Sequence, residues 1–316
     1  MRRTVIQADL LSGLTRQQSN IVVLSNSIAQ DPPDWTLFQH SVLCHVQLPR
    51  TRTHERRYEK SSGQSSLLIE AGALWTGSEW VQQPLPYGIK PRIAFMHIIS
   101  EAIRTQSPRV DVGRSARSFM KDLGLDLNGR SYAEFRRQIA ALSACRMTIG
   151  FGNTTIEAKP VEEFNTWDGL NSQNETSVQL DPGVIQLSSK FFATLMDHAV
   201  PLDPRAISGL QHSSLALDIY TWLAQRICRV DTKRGDDIPW SRLKEQFGQD
   251  YKNRHSFKRD FLKSLLAVQA VYPAAHLEAG RSCLTLFPSS PPIAKTMVSM
   301  TGSLGRILKQ LPALGN

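Results

Sequence analysis

The chain has 316 residues, of which 41% are hydrophobic and 21% are charged, a composition typical of a folded protein with room for two ordinary domains. Its formal net charge of +9 favours a polyanionic partner such as nucleic acid, although membrane-surface and ribosome-associated proteins share this property. No stretch reaches the ~18 apolar residues of a membrane span. The apolar run after Met1 is too interrupted for a signal peptide, so we expect a cytoplasmic protein without a membrane partner.

The sequence offers little for catalysis or metal binding. The four cysteines are far apart, and no two form a C-x-x-C pair, which disfavours a disulfide framework and a zinc site of the usual spacing. No phosphate-binding G-x-x-x-x-G-K-[ST] motif occurs. None of the eight histidines forms the H-x-H pair that a rolling-circle nuclease needs beside its tyrosine. We therefore expect no enzymatic activity, no metal and no cofactor.

The N-terminal segment shows little regular pattern. Residues 21–24 have the composition of a short strand, and the two prolines in residues 31–34 break any element. Residues 50–60 are a run of mixed charge, and the serine-rich residues 61–66 follow. This composition predicts an exposed, partly flexible connector.

From residue 67 onward the hydrophobic pattern becomes regular. Period-two alternation indicates strands, and period 3.6 indicates helices. An S-x-x-E capping box opens the third helix at Ser131, and Gly124 is suited to end the second. The predicted elements are short strands at 67–70 and 73–75, a helix around 95–103, an extended piece at 110–112, helices at about 115–124 and 131–145, and a hairpin of residues 147–151 and 154–158.

The same order of elements returns further along the chain at an offset of 124 residues. The positions matched by this offset are Phe95 with Ile219, Ile99 with Leu223, Ile103 with Ile227, Phe119 with Leu243, Leu123 with Phe247 and Gly124 with Gly248. The second unit has predicted helices at 214–229, around 240–247 and at 253–270, a short strand at Ile238, and a hairpin of residues 276–278 and 282–287. The order helix, strand, helix, helix, hairpin is that of a winged helix, in which the hairpin is the wing.

We therefore predict an α+β protein with two tandem winged-helix domains and a less ordered N-terminal segment. Pro201 and Pro204 mark the boundary between the two domains. The predicted divisions are an N-terminal segment at 1–66, a first domain at 67–200, a second domain at 201–292 and a C-terminal tail at 293–316.

The third helix of each unit is the one that a helix-turn-helix protein places in the major groove. In the second unit, residues 252–263 hold five Lys or Arg and the single acid Asp260. In the first unit, Arg137 lies opposite the apolar side, a pattern that an ordinary surface helix also shows. The candidate DNA-binding residues are Arg130, Ser131, Arg136 and Arg137 in the first unit, and Lys252, Arg254, His255, Lys258, Arg259, Lys263 and Arg281 in the second.

Several strings between residues 67 and 290 are more specific than the order of elements. They are Gly72-Ala73-Leu74, Pro86-Tyr87-Gly88 with Pro91-Arg92, residues 118–124 (SFMKDLG), residues 129–131 with 135–138, residues 187–192 (LSSKFF), residues 198–201, and residues 216–220 with Trp222 and Leu223. Together these strings resemble the iteron-binding RepA replication initiators of bacterial plasmids.

The resemblance implies a protein that binds directly repeated double-stranded DNA sites, called iterons, at a plasmid origin. It implies that binding helps to open the origin and recruits host replication proteins such as an initiator and a helicase. In related initiators the monomer starts replication, whereas a homodimer can repress its own gene. A homodimer is therefore a further expectation.

The sequence leaves other functions open. A winged-helix transcriptional repressor, including an autorepressor, would use the same DNA-binding apparatus without opening the strands. A nucleic-acid enzyme would show metal-dependent nicking, against the missing histidine pair. A structural or interaction protein would not show the steep salt dependence that phosphate contacts give.

Overall fold

The computed structural model describes residues 15–113, 115–158, 161, 163–164 and 183–294. Helices and strands occur along the whole of this part of the chain, which confirms the mixed content predicted from the sequence. The winged-helix assignment and the domain boundaries stay predictions. Residues 295–316 of the predicted tail lie outside the described residues.

The strand predicted at residues 21–24 is wrong, because these residues lie inside helix α1 (Arg16–Gln30). Thr15 and Gln18 form the capping box that starts this helix, and the Gln18 amide donates to Thr15 Oγ1 at 3.3 Å. The helix ends before the predicted break at residues 31–34. Strand β1 (Leu37–His40) and helix α2 (Ser41–His45) follow.

The connector predicted for residues 50–66 is wrong in its second half, where two strands form. Strand β2 (Arg57–Ser62) pairs antiparallel with β3 (Ser65–Glu70). The polar composition conceals β2, because its buried residue is a lysine: Lys60 Nζ donates to Gln47 Oε1 at 2.8 Å.

The first repeat unit has the predicted order of elements. Strands β4 (Ala73–Trp75) and β5 (Trp80–Gln82) form a hairpin that precedes it. The unit itself consists of α3 (Ile89–Thr105), β6 (Arg109–Asp111), α4 (Ala116–Asp122), α5 (Gly129–Ala144), β7 (Arg146–Phe151) and β8 (Thr154–Ala158). Gly124 follows α4 with a φ of 65°, so it is the predicted C-terminal glycine.

The capping box predicted at Ser131 is wrong, because α5 begins two residues earlier. Asn128 is the N-cap, and its Oδ1 accepts from the Ser131 amide at 2.8 Å. Glu134 does not reach back to the cap and instead accepts from Gln138 Nε2 at 3.0 Å. Asparagine is among the preferred N-cap residues, so the shift agrees with helix-capping chemistry.

The hairpin of the first unit is part of a larger sheet. Its strands β7 and β8 continue the order β2-β3-β7-β8, so residues before and after the helices share one sheet. The chain continues through β9 (Glu163–Phe164), β10 (Val184–Gln186), α6 (Ser189–His198) and β11 (Ala199–Leu202). Strand β11 pairs antiparallel with β1, which ties the N-terminal segment to the middle of the chain.

The second unit also follows the predicted order. Helix α7 (Pro204–Leu210) precedes it, and a 3-10 turn (Ile227–Arg229) extends its first helix. The unit consists of α8 (Ser214–Arg226), β12 (Asp236–Pro239), α9 (Trp240–Phe247), α10 (Arg254–Val271), β13 (Leu277–Ala279) and β14 (Cys283–Leu286). Its sheet has three strands in the order β12-β14-β13.

Two hydrophobic clusters form the interior, and helix α3 contributes to both. Phe95 and Ile99 belong to the cluster of the first unit, whereas Ile93 and Met96 belong to that of the second. Helix α3 of the first unit therefore packs into the core of its own unit on one side and into the core of the second unit on the other. No described helix is both long enough and apolar enough to cross a lipid bilayer.

Candidate nucleic-acid interface

The two third helices begin with the same cap. Asn128 Oδ1 accepts from the Ser131 amide, and Asn253 Oδ1 accepts from the Ser256 amide, both at 2.8 Å. The first turn of a helix carries free amides and the positive end of the helix dipole, which together favour an anion. Each predicted reading helix thus has an N-terminal end suited to phosphate. An asparagine caps both ends, and in the first unit the predicted cap was Ser131 instead.

Helix α10 has a buried apolar side and an exposed cationic side. Phe257, Phe261, Leu265 and Val268 are buried in the second cluster. The candidates that are exposed on α10 or just before it are Lys252, Arg254, His255, Arg259 and Lys263. Among the described residues, Arg259 is the single member of this set that forms an ion pair. The structure therefore leaves five of the seven candidates predicted in the second unit exposed on α10 and the residues just before it.

Arg259 is paired with its chain neighbour. Its Nε lies 2.9 Å from Asp260 Oδ1, and the arginine side chain is 69% exposed. The hydrogen bond between them raises the pKa of Arg259 and lowers the pKa of Asp260. Exposed ion pairs contribute little free energy, because water already solvates both charges. The guanidinium can therefore exchange this partner for a phosphate or a guanine edge.

Lys258 is the candidate that faces away from the open side of α10. Its ammonium donates to the carbonyls of Gly280 at 3.1 Å and Arg281 at 2.9 Å. It also lies 4.5 Å from the centre of the Trp240 ring, a distance at which a cation and an aromatic face attract. The side chain of Arg281, the remaining candidate, is exposed at the turn of the β13–β14 hairpin.

The first unit has a smaller cationic group around Tyr132. The guanidinium carbons of Arg136 and Arg117 lie 5.9 and 5.8 Å from the centre of the Tyr132 ring. Arg136 is half-buried, whereas Arg130 and Arg117 are exposed. Arg117 was not among the predicted candidates, although its place on the outer side of α4 could have been read from the period of that helix. Ser131 is half-buried, and its carbonyl accepts from Lys90 Nζ at 2.8 Å.

Arg137 is held by a local network. Its guanidinium donates to Glu134, one turn earlier on α5. Burial alone would raise the pKa of Glu134, but hydrogen bonds from Gln138 and Tyr87 and the charge of Arg137 lower it below its ordinary value. The Arg137 side chain is 66% exposed, close to the 69% of Arg259, so it too can exchange its carboxylate partner for an external anion.

A buried ion pair joins the two units. Arg92 Nε on α3 donates to Asp218 Oδ1 on α8 at 2.8 Å, and Arg92 Nη2 donates to Asp218 Oδ2 at 3.1 Å. The same guanidinium donates to the carbonyls of Leu48, Pro49 and Gly88. Arg92 and Asp218 lie in two of the strings that resemble the plasmid initiators. The structure shows that these strings meet at the joint between the units.

Possible metal ligands do not gather in this interface. In the part of the chain that the structure describes, no group of three or more His, Cys, Asp or Glu side chains could hold a metal ion. His40, next to Cys44 and His45 in sequence, lies with its ring centre 5.9 Å from that of His198. Burial and the nearby His198 lower the pKa of His40 to about 4.

Comparisons with known proteins agree with these strings and with the fold. The model of the family described as "Plasmid encoded RepA protein" matches residues 85–241. No curated protein matches the chain. The crystal structure of selenomethionine derivatives of domains 2 and 3 of RctB is similar, with a TM-score of 0.52 at 11% identity over 85% of this chain and 100% of that chain. A second crystal structure of RctB domains 2 and 3 has a TM-score of 0.50 at 12% identity over 78% of this chain and 96% of that chain.

The two kinds of comparison support different statements about the chain. At such low identity, the likeness to the RctB domains shows a shared fold. The family match includes α3 to α5 and the ion pair between Arg92 and Asp218, but it ends before α10. The cationic side of α10 is therefore a feature of this structure and not of the matched span.

Proposed function

Because the chain belongs to the family of plasmid encoded RepA proteins, we propose that it initiates plasmid replication by binding double-stranded DNA at the plasmid origin. The single observation that carries the DNA-binding part is the exposed cationic side of α10. Arg259 and Lys263 stand there, opposite the buried side, and Arg254 is exposed in the first turn of the same helix. The major groove of B-DNA admits one α-helix, and arginine is the side chain that reads guanine most often.

Two helix–strand–helix–helix–hairpin units in one chain suit a particular kind of site. Each unit offers one third helix, and the two differ in sequence, so a single molecule would read two different stretches of DNA. Such a molecule fits a directly repeated, nonpalindromic site better than a palindrome, which suits a symmetric dimer. We propose that the sites are iterons, and that binding opens the origin and recruits host replication proteins such as an initiator and a helicase. A homodimer would act at an operator.

The proposal requires no chemistry by the protein itself. Charge and hydrogen bonding supply the interaction, and we propose that the protein is not an enzyme and uses no cofactor. Lysine and arginine contacts to phosphate release condensed counterions, which makes the affinity fall steeply with salt. Steep salt dependence with sequence preference is therefore the expected signature.

The test is DNA binding across a salt series, with the origin fragment of the parent plasmid compared with unrelated DNA of equal length. We expect a footprint on each repeat and a slope of log K against log salt of about −4 to −8, which corresponds to four to nine phosphate contacts. Permanganate reactivity of thymines next to the footprint reports strand opening in the same reactions.

The outcomes separate the candidate functions. A repeat-specific footprint with strand opening supports the initiator. The same footprint without opening, in the presence of host initiator protein, favours a repressor. Equal and weak binding to both DNAs contradicts sequence-specific recognition altogether.

A further inference from the structure

Lys258 is the one predicted DNA contact on α10 that the structure turns inward, toward the β13–β14 hairpin. Three carbonyls form the turn of this hairpin, those of Gly280, Arg281 and Ser282. Each of them accepts a hydrogen bond from α9 or α10: Gly280 from Lys258 and Trp240, Arg281 from Lys258, and Ser282 from the Trp240 amide. The backbone of the turn is therefore fastened to the two helices that precede it.

The ammonium group of Lys258 is surrounded by groups that attract a cation. Its ammonium has three N–H donors, and it has two carbonyls within 3.1 Å and the Trp240 ring at 4.5 Å. Trp240 is fully buried, and its Nε1 donates to the Gly280 carbonyl at 3.1 Å. Lys258 and Trp240 thus converge on one carbonyl, so the fixed indole sets the position of the lysine and of the turn together.

We propose that Lys258 is a positioning residue, which fixes the hairpin turn so that the exposed Arg281 is presented to the DNA backbone beside α10. The inference rests on the proposed function, because it assigns a role within DNA binding. A turn that is ordered before binding loses less conformational entropy when it contacts DNA. Lys258 therefore contributes through Arg281 and touches no phosphate itself.

The proposal separates Lys258 from Lys263, an exposed lysine on the same helix. A lysine that contacts phosphate contributes about 0.9 to the salt slope, because its binding releases counterions. A lysine that positions a loop changes the affinity at every salt concentration and leaves the slope as it was. Lys258→Met and Lys263→Met remove the same charge from one helix, so each is the control for the other.

The first measurement needs no DNA. Hydrogen exchange of peptides covering residues 276–288 should become about tenfold faster in Lys258→Met, since two hydrogen bonds to the turn are lost. Lys263→Met should exchange like the wild type. Lys258→Arg should restore most of the protection, because a guanidinium can donate to both carbonyls.

The second measurement uses origin DNA in a salt series. We expect Lys258→Met to weaken binding about tenfold with an unchanged slope, and Lys263→Met to reduce the slope by about 0.9. In an Arg281→Ala background, Lys258→Met should cost no further affinity, since its effect passes through Arg281. This cycle distinguishes positioning from a general loss of stability, which would add to the Arg281→Ala effect.

The proposal is overturned if Lys258→Met lowers the salt slope as Lys263→Met does, or if the exchange of the turn does not change. Should Lys258→Met fail to fold, Lys258→Gln replaces it in the exchange measurement, in the salt series and in the cycle with Arg281→Ala, and the same outcomes support or overturn the proposal. Absence of DNA binding by the wild type contradicts the proposed function instead. The exchange measurement then still shows whether Lys258 orders the turn.

Discussion

The two repeat units share their order of elements but differ in how they use charge and how they hold their hairpins. On α5, Arg137 is tied to Glu134, and Arg136 rests against Tyr132. On α10, the ion pair found among the described residues joins Arg259 to its chain neighbour Asp260. The second unit therefore presents exposed cations along much of α10, and the first unit presents fewer of them on α5.

The hairpins differ in a complementary way. The first hairpin lies in a four-stranded sheet, and the Gly152 amide at its turn donates to the Gln64 carbonyl of the neighbouring β2–β3 turn at 3.0 Å. The second hairpin lies in a three-stranded sheet with β12, and the carbonyls of its turn accept hydrogen bonds from Lys258 and Trp240 of its own unit. The two units thus have the same order of elements, but the turn of the hairpin next to the predicted reading helix is held by different contacts in each.

The largest expected effect comes from the joint, which decides whether the units behave as two modules or one. Arg92→Met leaves Asp218 buried without its main partner, and breaking a buried ion pair costs about 3–5 kcal/mol. Chemical denaturation should show this loss in a single transition, because both clusters pack on α3. The control is Arg104→Met on the same helix, which removes an exposed ion pair with Glu101 and should cost less than about 1 kcal/mol. Two separate transitions would show that the units are independent.

The pH dependence of stability tests the same joint through Lys60, which senses the charges of Asp218 and Arg92. Burial lowers the pKa of Lys60 from its ordinary value of 10.5 to about 7, with Asp218 opposing and Arg50 and Arg92 adding to the shift. The unfolded chain keeps this proton up to its ordinary pKa, so between pH 7 and 10 the folded protein binds fewer protons, and its stability should rise with pH.

The expected gain is roughly 3 kcal/mol over that interval. The measurement is the free energy of unfolding of the wild type minus that of Lys60→Met at each pH, which cancels the other groups that titrate there. A difference that stays constant from pH 7 to 10 would mean that Lys60 titrates at its ordinary pKa. A difference that falls with pH would contradict the direction of the shift.

Most of the secondary structure could be predicted from the sequence where local signals agree. Periodicity located the helices of both units, and Gly124 ended α4 as expected. The wrong strand at residues 21–24 is instructive, because a T-x-x-Q capping box at Thr15 was present in the sequence and indicates a helix. An apolar run of four residues does not distinguish a strand from a helix, so the capping box is the signal that identifies residues 21–24 as helical.

The site could be predicted in part, according to the distance over which its contacts act. The exposed side of α10 follows from the spacing of its aromatic residues. The pairing of Arg137 with Glu134 is local and could also have been read, since residues three apart face each other on a helix. Lys258 and Arg92 could not be placed, because their partners lie 22 and 126 residues away. Periodicity carries no information about contacts between elements.

The charges of α5 and α10, the two predicted reading helices, allow a direct comparison. Arg259→Ala with Lys263→Ala should weaken binding to origin DNA by about 10²-fold, because both side chains are exposed opposite the buried side. Arg136→Ala with Arg137→Ala removes the same charge from the first unit, and we expect a loss below about tenfold, since Arg136 is half-buried beside Tyr132 and α5 carries fewer exposed cations than α10.

A third double variant controls for net charge. Lys233→Ala with Arg234→Ala removes two exposed cations next to β12, at the end of the sheet away from the hairpin turn. We expect this variant to bind like the wild type within about twofold, since a surface charge away from DNA acts through screened electrostatics alone. Equal losses in all three variants would mean that the overall charge, and not the geometry of α10, determines the affinity. Unchanged binding by the α10 variant would contradict the placement of that helix.

The smallest expected effect concerns the two glycines that the repeat aligns. Gly124 has a φ of 65° and nothing within 4 Å of an added Cβ, so Gly124→Ala should cost about 1 kcal/mol from backbone strain alone. At Gly248 an added Cβ would lie 2.6 Å from the Lys244 carbonyl oxygen. The backbone must shift to relieve that overlap, so we expect Gly248→Ala to cost about 2 kcal/mol.

Denaturant unfolding of both variants measures the difference, with Gly129→Ala as the control. Gly129 lies in the first turn of α5, and an added Cβ there meets nothing within 4 Å, so its replacement should be neutral or slightly stabilising. If Gly124→Ala costs more than Gly248→Ala, left-handed backbone strain at Gly124 outweighs the steric overlap at Gly248. The expected order instead means that the repeat conserves the place where a helix stops and not the means by which it stops.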